Sequence, residues 1–168
     1  MKEIVDLKDL MVEQLRDLYH GEKALNKLLP KIVENVHESG LKDIINGYLD
    51  DNESQVQRLR QVFEILFLQK RGETCEALKA MVKETNSIIK RSNDSKVRDA
   101  ALITALQHII HYQIAGYGAV CTYAKMLEFF EAGKILHINL EEEKNTDRKL
   151  AMHAEGIINR RAISTDSL

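Results

Sequence analysis

Apolar residues recur at alternating gaps of three and four along nearly the whole 168-residue chain. Because an α-helix turns once in about 3.6 residues, this spacing gathers the apolar side chains into one stripe on a helix. The first such stripe comprises Met11, Leu15, Leu18, Glu22, Leu25, Leu29, Ile32 and Val36. The strict apolar and polar alternation that marks strands is absent. The sequence therefore predicts an all-α protein.

Five helices are predicted, with breaks near Gly40, Gly72 and Gly133; they span 7–37, 41–68, 75–90, 96–130 and 134–160. A long connection, 69–95, joins the second helix to the fourth and contains the short third helix. Four long helices with one long crossover are typical of ferritin-like bundles. We therefore predict a ferritin-like four-helix bundle with a short extra helix in the crossover, as one domain over 1–160 followed by a flexible tail at 161–168.

Composition narrows the classes of function. Charged residues make up 30% of the chain, but the net charge is only −2 and no basic block is present, so we expect no nucleic-acid partner. The chain has no apolar run of about 18 residues and no signal-peptide pattern at its start, so we expect a cytoplasmic protein without membrane association. Cys75 and Cys121 share no metal-binding spacing and are expected to be buried thiols.

Six polar residues interrupt the apolar stripes close to the helix midpoints. They are Glu22 in the first helix, Asn52 and Gln55 in the second, Gln113 in the fourth, and Glu143 and Asp147 in the fifth. Midpoints fall at one depth of a bundle whichever way each helix runs, so these side chains should form one polar layer. A buried charge is costly unless it is paired or bound to a metal, which makes this layer the candidate functional site.

Ferritin-like proteins hold two irons in such a layer, using a Glu from each of two helices and a Glu-x-x-His from each of the other two. Residues three apart project from the same helix face, so they can bind the same metal pair. The carboxylates of this layer are Glu22, Glu143 and Asp147, and none of them belongs to a Glu-x-x-His sequence. The layer is therefore depleted in metal ligands relative to that template.

Five segments in this order resemble the YciE/YciF-type ferritin-like stress proteins of bacteria, and the resemblance covers about residues 6–155. The segments are "LRDLYHGEKALNKLLPK" (15–31), "QVQRLRQVFEIL" (55–66), "VRDAALI" (97–103), "HYQIAGYG" (111–118) and "LEEEKNTDRKL" (140–150). The resemblance implies a bundle that carries a dinuclear metal site, a role in stress and a homodimer.

The family's metal-site pattern is carried over only in part. Glu22 and Glu143 match it, and Asp51 is a shorter analogue of a ligand in the second helix. In the fourth helix the family pattern resembles Glu-His-Tyr-Glu-Ile-Ala, whereas this chain has Ile110 and Gln113 at the two glutamate positions. With Asp147 from the stripe of the fifth helix and His111 beside the stripe of the fourth, the candidate metal ligands are Glu22, Asp51, His111, Glu143 and Asp147.

Two interpretations of the layer follow from the sequence. In the first, the carboxylates bind a weakly held divalent metal, iron or manganese, with weak iron oxidation or peroxide scavenging. In the second, Asn52, Gln55, Gln113 and Tyr117 hydrogen-bond the acids and one carboxyl is protonated, so the protein is a non-catalytic module. We favour the second, in which His111 is structural and His108 faces solvent or another subunit. An iron-storage cage is the least supported function.

A homodimer is expected for a further reason. The apolar residues of 75–90 lie outside the four main stripes, so they are candidates for a second buried surface. The core of a single bundle could equally absorb them.

Overall fold

The computed structural model describes residues 3–70 and 75–163. Its helices are α1 (Leu7–Asn35), α2 (Ser39–Ile65), α3 (Glu76–Arg91), α4 (Ser95–Met126) and α5 (Phe130–His153), followed by one π-helical turn (Ala154–Ile158) and a short α6 (Asn159–Ala162). No strand occurs in these residues, so the all-α prediction is confirmed. Gly72 and residues 164–168 of the predicted tail lie outside the described residues.

Each of the four long helices packs against two others. Helix α1 contacts α2 and α4, and α5 contacts the same two helices, while α3 crosses over and packs on α4 and α1. The end of α1 lies beside the start of α4, because Asp99 accepts hydrogen bonds from the backbone amides of His37 and Glu38. The end of α5 similarly meets the start of α2, where His153 lies 2.6 Å from Glu38. Neighbouring helices are therefore antiparallel, which confirms the ferritin-like bundle with an extra helix in the crossover.

The helices break close to the predicted places, but the two glycines assigned to these breaks do not end the helices. Gly40 lies in the first turn of α2, and Gly133 lies inside α5. The chain leaves α4 through Glu128, which adopts a left-handed φ of 62°, and leaves α2 through Phe67 with a φ of 52°. The next residue, Leu68 after α2 and Phe129 after α4, donates its backbone N–H to the carbonyl oxygen five residues earlier and packs against the core. These contacts offset the strain of the left-handed residue. Because neither left-handed residue is a glycine, the positions of glycines in the sequence do not reveal these helix ends.

The apolar interior consists of two clusters, one at each end of the bundle. The cluster at the end of α1, where α2 and α4 begin, includes Leu25, Leu29, Leu41, Ile45, Ile103, Leu106, Ile110 and Leu150. The opposite cluster includes Met11, Leu15, Leu18, Leu59, Val62, Phe63, Val120 and Leu136. Each long helix carries a buried polar residue between them, so the predicted layer divides the core in two.

Gly21 allows α3 to approach the bundle closely. A Cβ atom at this position would lie 2.3 Å from Cδ1 of Leu78 and 3.3 Å from Oε1 of Gln113. Leu78 and Thr85 are the buried residues of α3, and Met81, Val82 and Ile89 pack partly against the core of the same chain. The bundle itself thus absorbs apolar residues of 75–90 that were expected to be available for a dimer surface.

Over residues 3–70 and 75–163, none of the helices combines the length and the apolar character that crossing a membrane requires. Cys75 is buried, as predicted, and its sulfur lies 3.2 Å from the hydroxyl of Tyr112. Cys121 is only partly buried, and this burial raises the pKa of its thiol to about 11.

Candidate functional site: a buried polar layer

The predicted polar layer is present at the middle of the bundle. Glu22, Asn52, Gln113 and Glu143 all point inward and are fully shielded from solvent, which confirms their predicted orientation. Gln55 is also buried, and three further buried side chains join the layer, namely Tyr48, Tyr117 and Asn139. The layer is contributed by α1, α2, α4 and α5, so it links all four long helices.

Glu22 has a neutral hydrogen-bond donor on each carboxylate oxygen. The side-chain amide of Asn52 donates to Oε2 at 2.6 Å, and the hydroxyl of Tyr117 donates to Oε1 at 2.6 Å. The same amide also lies 3.2 Å from the backbone carbonyl oxygen of Glu22. Burial raises the pKa of Glu22 to about 7, while the hydrogen bonds from Tyr117 and Asn52 oppose this rise. Two protein donors therefore stabilise the ionised form.

Glu143 has a hydrogen-bond donor on only one of its carboxylate oxygens. The hydroxyl of Tyr48 donates to Oε2 at 2.9 Å, but Oε1 has no hydrogen-bond partner. Burial raises the pKa of Glu143 well above its usual range, and the nearby charge of Glu22 raises it further. Two buried carboxyl groups cannot both ionise cheaply, so the proximity of Glu22 and Glu143 favours a proton on the pair.

A hydrogen-bonded chain connects the layer to the surface. Asn139 donates to the hydroxyl of Tyr117 at 3.0 Å, and its carbonyl oxygen accepts from the guanidinium of Arg58. Arg58 also binds Glu142 through two hydrogen bonds of 2.6 and 2.7 Å. The position of Tyr117 is therefore fixed from both sides, by Glu22 and by Asn139.

Sequence reasoning missed Asn139 because the predicted stripe of α5 passed through its neighbour Leu140. Leu140 is buried as predicted, but Asn139 is buried beside it; the buried residues of α5 are Ala132, Leu136, Asn139, Leu140, Glu143, Thr146 and Leu150. Asp147 was wrongly included in the stripe, and Thr146 is buried instead. The hydrogen bonds of Asn139 compensate for its burial.

Asp147 lies outside the layer, contrary to the prediction. Its Oδ1 is 3.0 Å from the amide nitrogen of Gln107 and 3.2 Å from Nε2 of His111, at the edge between α4 and α5. The His111 side chain is 65% exposed, and His108 is also exposed, as expected. Asp147 and His111 are thus brought together, but on the surface.

Asp51 lies apart from both the layer and the pair formed by Asp147 and His111. It is partly buried on α2, and burial together with the charge of Glu142 raises its pKa, which Lys149 and Arg58 oppose. The five predicted ligands therefore fall into three groups rather than one. In the described part of the chain, no three or more His, Cys, Asp or Glu side chains are grouped so that they could hold a metal ion.

Six buried polar atoms of the layer have no hydrogen-bond partner. They are Oδ1 of Asn52, Oε1 and Nε2 of Gln55, Oε1 and Nε2 of Gln113, and Oε1 of Glu143. Buried polar atoms are nearly always satisfied in proteins, by the chain, by water or by a bound ion. Four of these six atoms are oxygens, which are the donor atoms that hard divalent cations prefer.

The residues of the layer do not fit a dinuclear metal centre. Such a centre needs carboxylates from several helices, but among the described residues the layer holds only Glu22 and Glu143, and both oxygens of Glu22 accept protein hydrogen bonds. The two helix 4 positions expected to carry ligands hold Ile110, which is buried in the apolar core, and the neutral Gln113.

The sequence of this bundle matches a known family model. The match covers residues 6–163, and the family is described as a domain of unknown function, DUF892. The chain belongs to the DUF892 family. Protein YciF of Escherichia coli strain K12 is 35% identical over 157 residues, which cover 93% of this chain and 95% of YciF. The predicted resemblance to YciF-type proteins is thereby confirmed.

Solved structures of other proteins share this fold. The crystal structure of the E. coli stress protein YciF matches with a TM-score of 0.89 at 34% identity, over 94% of this chain and 99% of that chain. YcfI of Rhodopseudomonas palustris matches with a TM-score of 0.86 at 33% identity, over 89% and 96%. A protein of Xanthomonas campestris has a TM-score of 0.74 at 19% identity, over 94% and 100%, and this shows a shared fold alone.

Proposed function

We propose that this DUF892 protein is a bacterial stress-response protein of the YciF type whose ancestral metal layer has become a hydrogen-bonded structural layer, and that it acts as a non-catalytic dimeric module. The stress role is carried over from the E. coli relative, which is called a stress protein. The main support for a non-catalytic layer is the environment of Glu22, whose two oxygens are occupied by Asn52 and Tyr117.

A structural layer of this kind fixes how the helices align. Glu22 in α1 must meet Asn52 in α2 and Tyr117 in α4, because a sliding helix would leave a buried carboxylate without donors. Leaving a buried polar group unsatisfied costs about 1–3 kcal/mol, and more for a charged group. The proposed role of the layer is therefore to select one helix register, at some cost in stability.

Anaerobic titration with ferrous iron, followed by admission of oxygen, tests the loss of metal chemistry. We expect weak or substoichiometric binding and no appreciable iron oxidation. Tight binding of two irons per chain followed by fast oxidation would overturn the non-catalytic proposal. Metal analysis of protein expressed in iron-rich and in manganese-rich medium provides an independent measurement.

A second candidate function is the weak binding of one divalent ion. The observation that favours it is the set of four unpartnered buried oxygens, on Asn52, Gln55, Gln113 and Glu143. Titration with Mn²⁺ monitored by electron paramagnetic resonance would detect such an ion. Binding that is lost in Glu143→Gln, but kept when the exposed Glu53 is changed to Gln, would favour this candidate over a purely structural layer.

The homodimer remains a proposal with a candidate surface at one end of the bundle. Phe67, Met126 and Phe130 are 97%, 70% and 60% exposed, and they lie where α2 and α4 end and α5 begins. We expect sedimentation at micromolar concentration to give a species near twice the 19.2 kDa mass of the chain. The substitution Phe130→Lys should shift this species toward the monomer, whereas a single species near the monomer mass for the unmodified protein would refute the dimer.

A further inference from the structure

A cavity of about 280 Å³ lies on the outside of the bundle, between α1 and α3. Helix α1 presents His20, Lys23, Ala24 and Lys27 to it, and the start of α3 presents Cys75, Leu78, Lys79 and Val82. In both helices these residues follow gaps of three, one and three, so each set forms a single face. Gly21 completes the lining, and its missing side chain leaves room for Leu78.

The floor and the rim of this cavity differ in character. Cys75 and Leu78 are buried, and together with Ala24 and Val82 they make an apolar floor. The rim carries the ammonium groups of Lys23, Lys27 and Lys79, and no acidic residue lines the cavity among the described residues. The cavity therefore combines an apolar interior with a positively charged mouth.

The three lysines differ in the contacts that their ammonium groups make. Lys79 lies 3.2 Å from Glu76, and the ammonium of Lys23 lies over the ring of Tyr19, 5.4 Å from its centroid. Lys27 makes no ion pair or hydrogen bond with any residue in 3–70 or 75–163. At least one cation at the mouth is therefore available to an anionic ligand without breaking an existing ion pair.

We propose that this cavity, which we call the α1–α3 cavity, binds a small organic anion with an apolar body, such as a medium-chain aliphatic carboxylate. The apolar tail would lie on Leu78 and Val82, and the carboxylate would face Lys23 and Lys27 at the mouth. The volume is just below the range of about 300–1,000 Å³ that is usual for drug-sized ligands, which favours a short chain. This binding site is separate from the polar layer and does not depend on its proposed role.

Hexanoate, hexylamine and 1-hexanol form a matched set of probes, because they share the tail and differ in charge. Each is titrated into ¹⁵N-labelled full-length protein, and amide resonances are followed by NMR. We expect hexanoate to shift the amides of 20–27 and 75–82 with a dissociation constant of about 1 mM, as suits a small weak ligand. Hexanol should bind more weakly, and hexylamine should not bind at this place.

Three variants separate charge, shape and general electrostatics. Replacing Lys23 and Lys27 together by Gln should weaken hexanoate binding about tenfold, since it removes two cations from the mouth. Ala24→Leu should abolish binding by filling the cavity while retaining every charge. Lys31→Gln, a control on the exposed face of α1 outside the cavity, should leave the affinity unchanged.

Circular dichroism and the melting temperature establish that each variant is folded. The proposal is overturned if hexanoate causes no shifts in these segments, if hexylamine binds equally well, or if the double lysine variant binds like the parent. Shifts confined to 121–137 would also overturn it, because a second hollow lined by Lys125, Lys134 and His137 would then be the site of anion binding.

Discussion

The hydroxyl oxygen of Tyr117 lies 2.6 Å from Oε1 of Glu22, although 95 positions separate the two residues in the sequence. Both side chains are fully buried. This hydrogen bond joins α4 to α1 through the polar layer, and Asn139 holds the same hydroxyl from α5. The bond therefore links three helices at the depth where the apolar core is interrupted.

Removal of that hydroxyl should destabilise the protein. Tyr117→Phe leaves one oxygen of Glu22 without its donor and removes one of the two hydrogen bonds of the Asn139 amide, so we expect a loss of about 1–3 kcal/mol in the free energy of unfolding. Urea denaturation at pH 7 measures this change. Tyr123→Phe, a control on the same helix at a partly exposed site, should change stability by less than about 0.5 kcal/mol. Equal stability of the two variants would argue against the role assigned to Tyr117.

The buried carboxyl groups predict how stability depends on pH. The pKa of Glu22 rises from 4.5 to about 7 on folding, and the pKa of Glu143 rises well above 4.5. The folded state therefore holds more protons than the unfolded state above about pH 4.5, so stability should fall as pH rises from 5 to 8.5. Each group contributes at most about 1.4 kcal/mol per pH unit.

Glu143→Gln isolates one of these contributions. The variant should lose less stability than the parent between pH 5 and pH 8.5, and it should be the more stable protein at pH 8.5. Glu53→Gln, at an exposed position of α2, should follow the parent profile. Urea unfolding across this range provides the measurement, and a parent protein that gains stability toward pH 8.5 would contradict a raised pKa for Glu143.

Restoration of charge in α4 should recreate affinity for metal. The double substitution Ile110→Glu and Gln113→Glu adds one carboxylate to the layer, at position 113, and a second about one helical turn away in the adjoining apolar core. Because these would be buried anions, the variant should be less stable than the parent without metal and should be rescued by ferrous iron or Mn²⁺. Calorimetric titration and thermal unfolding with and without metal test both parts.

The matched control for this double variant is His108→Glu with Thr104→Glu, which adds the same charges to α4 at exposed positions. It should neither gain metal affinity nor respond to metal in thermal unfolding. A double variant that behaves like this control would show that the layer cannot be returned to a metal site by its helix 4 positions.

Gly21 is predicted to be essential for the packing of α3. In Gly21→Ala the new methyl group would meet Leu78 at 2.3 Å, and overpacking of this kind typically costs about 1–3 kcal/mol. Leu78→Ala in the same chain should relieve part of that cost.

At Gly47, on the exposed face of α2, nothing lies within 4 Å, so Gly47→Ala should stabilise by about 0.5–1 kcal/mol. Urea unfolding of the four proteins tests the contrast, which would fail if both glycine variants behaved alike.

The amino-acid sequence by itself determined the helical class, the number of long helices and most of the buried layer. Apolar spacing fixes which face of α1, α2 and α4 is buried, because one register is clearly more apolar than the others. The midpoint positions of Glu22, Asn52, Gln113 and Glu143 then placed them at one depth. The bundle topology followed from the lengths of the connections between helices.

Only the tertiary structure decided which polar residues of α5 are buried. Asn139 and Thr146 are buried and Asp147 is not, since Asn139 finds Tyr117 and Gln55 while Asp147 finds Gln107 and His111 at the edge. The left-handed caps at Phe67 and Glu128 could likewise not be predicted from the sequence, because they depend on core contacts of the residues that follow. Spacing along the chain specifies which residues share a helix face, but the burial of a polar residue is decided by donors and acceptors on other helices, which lie far away in sequence.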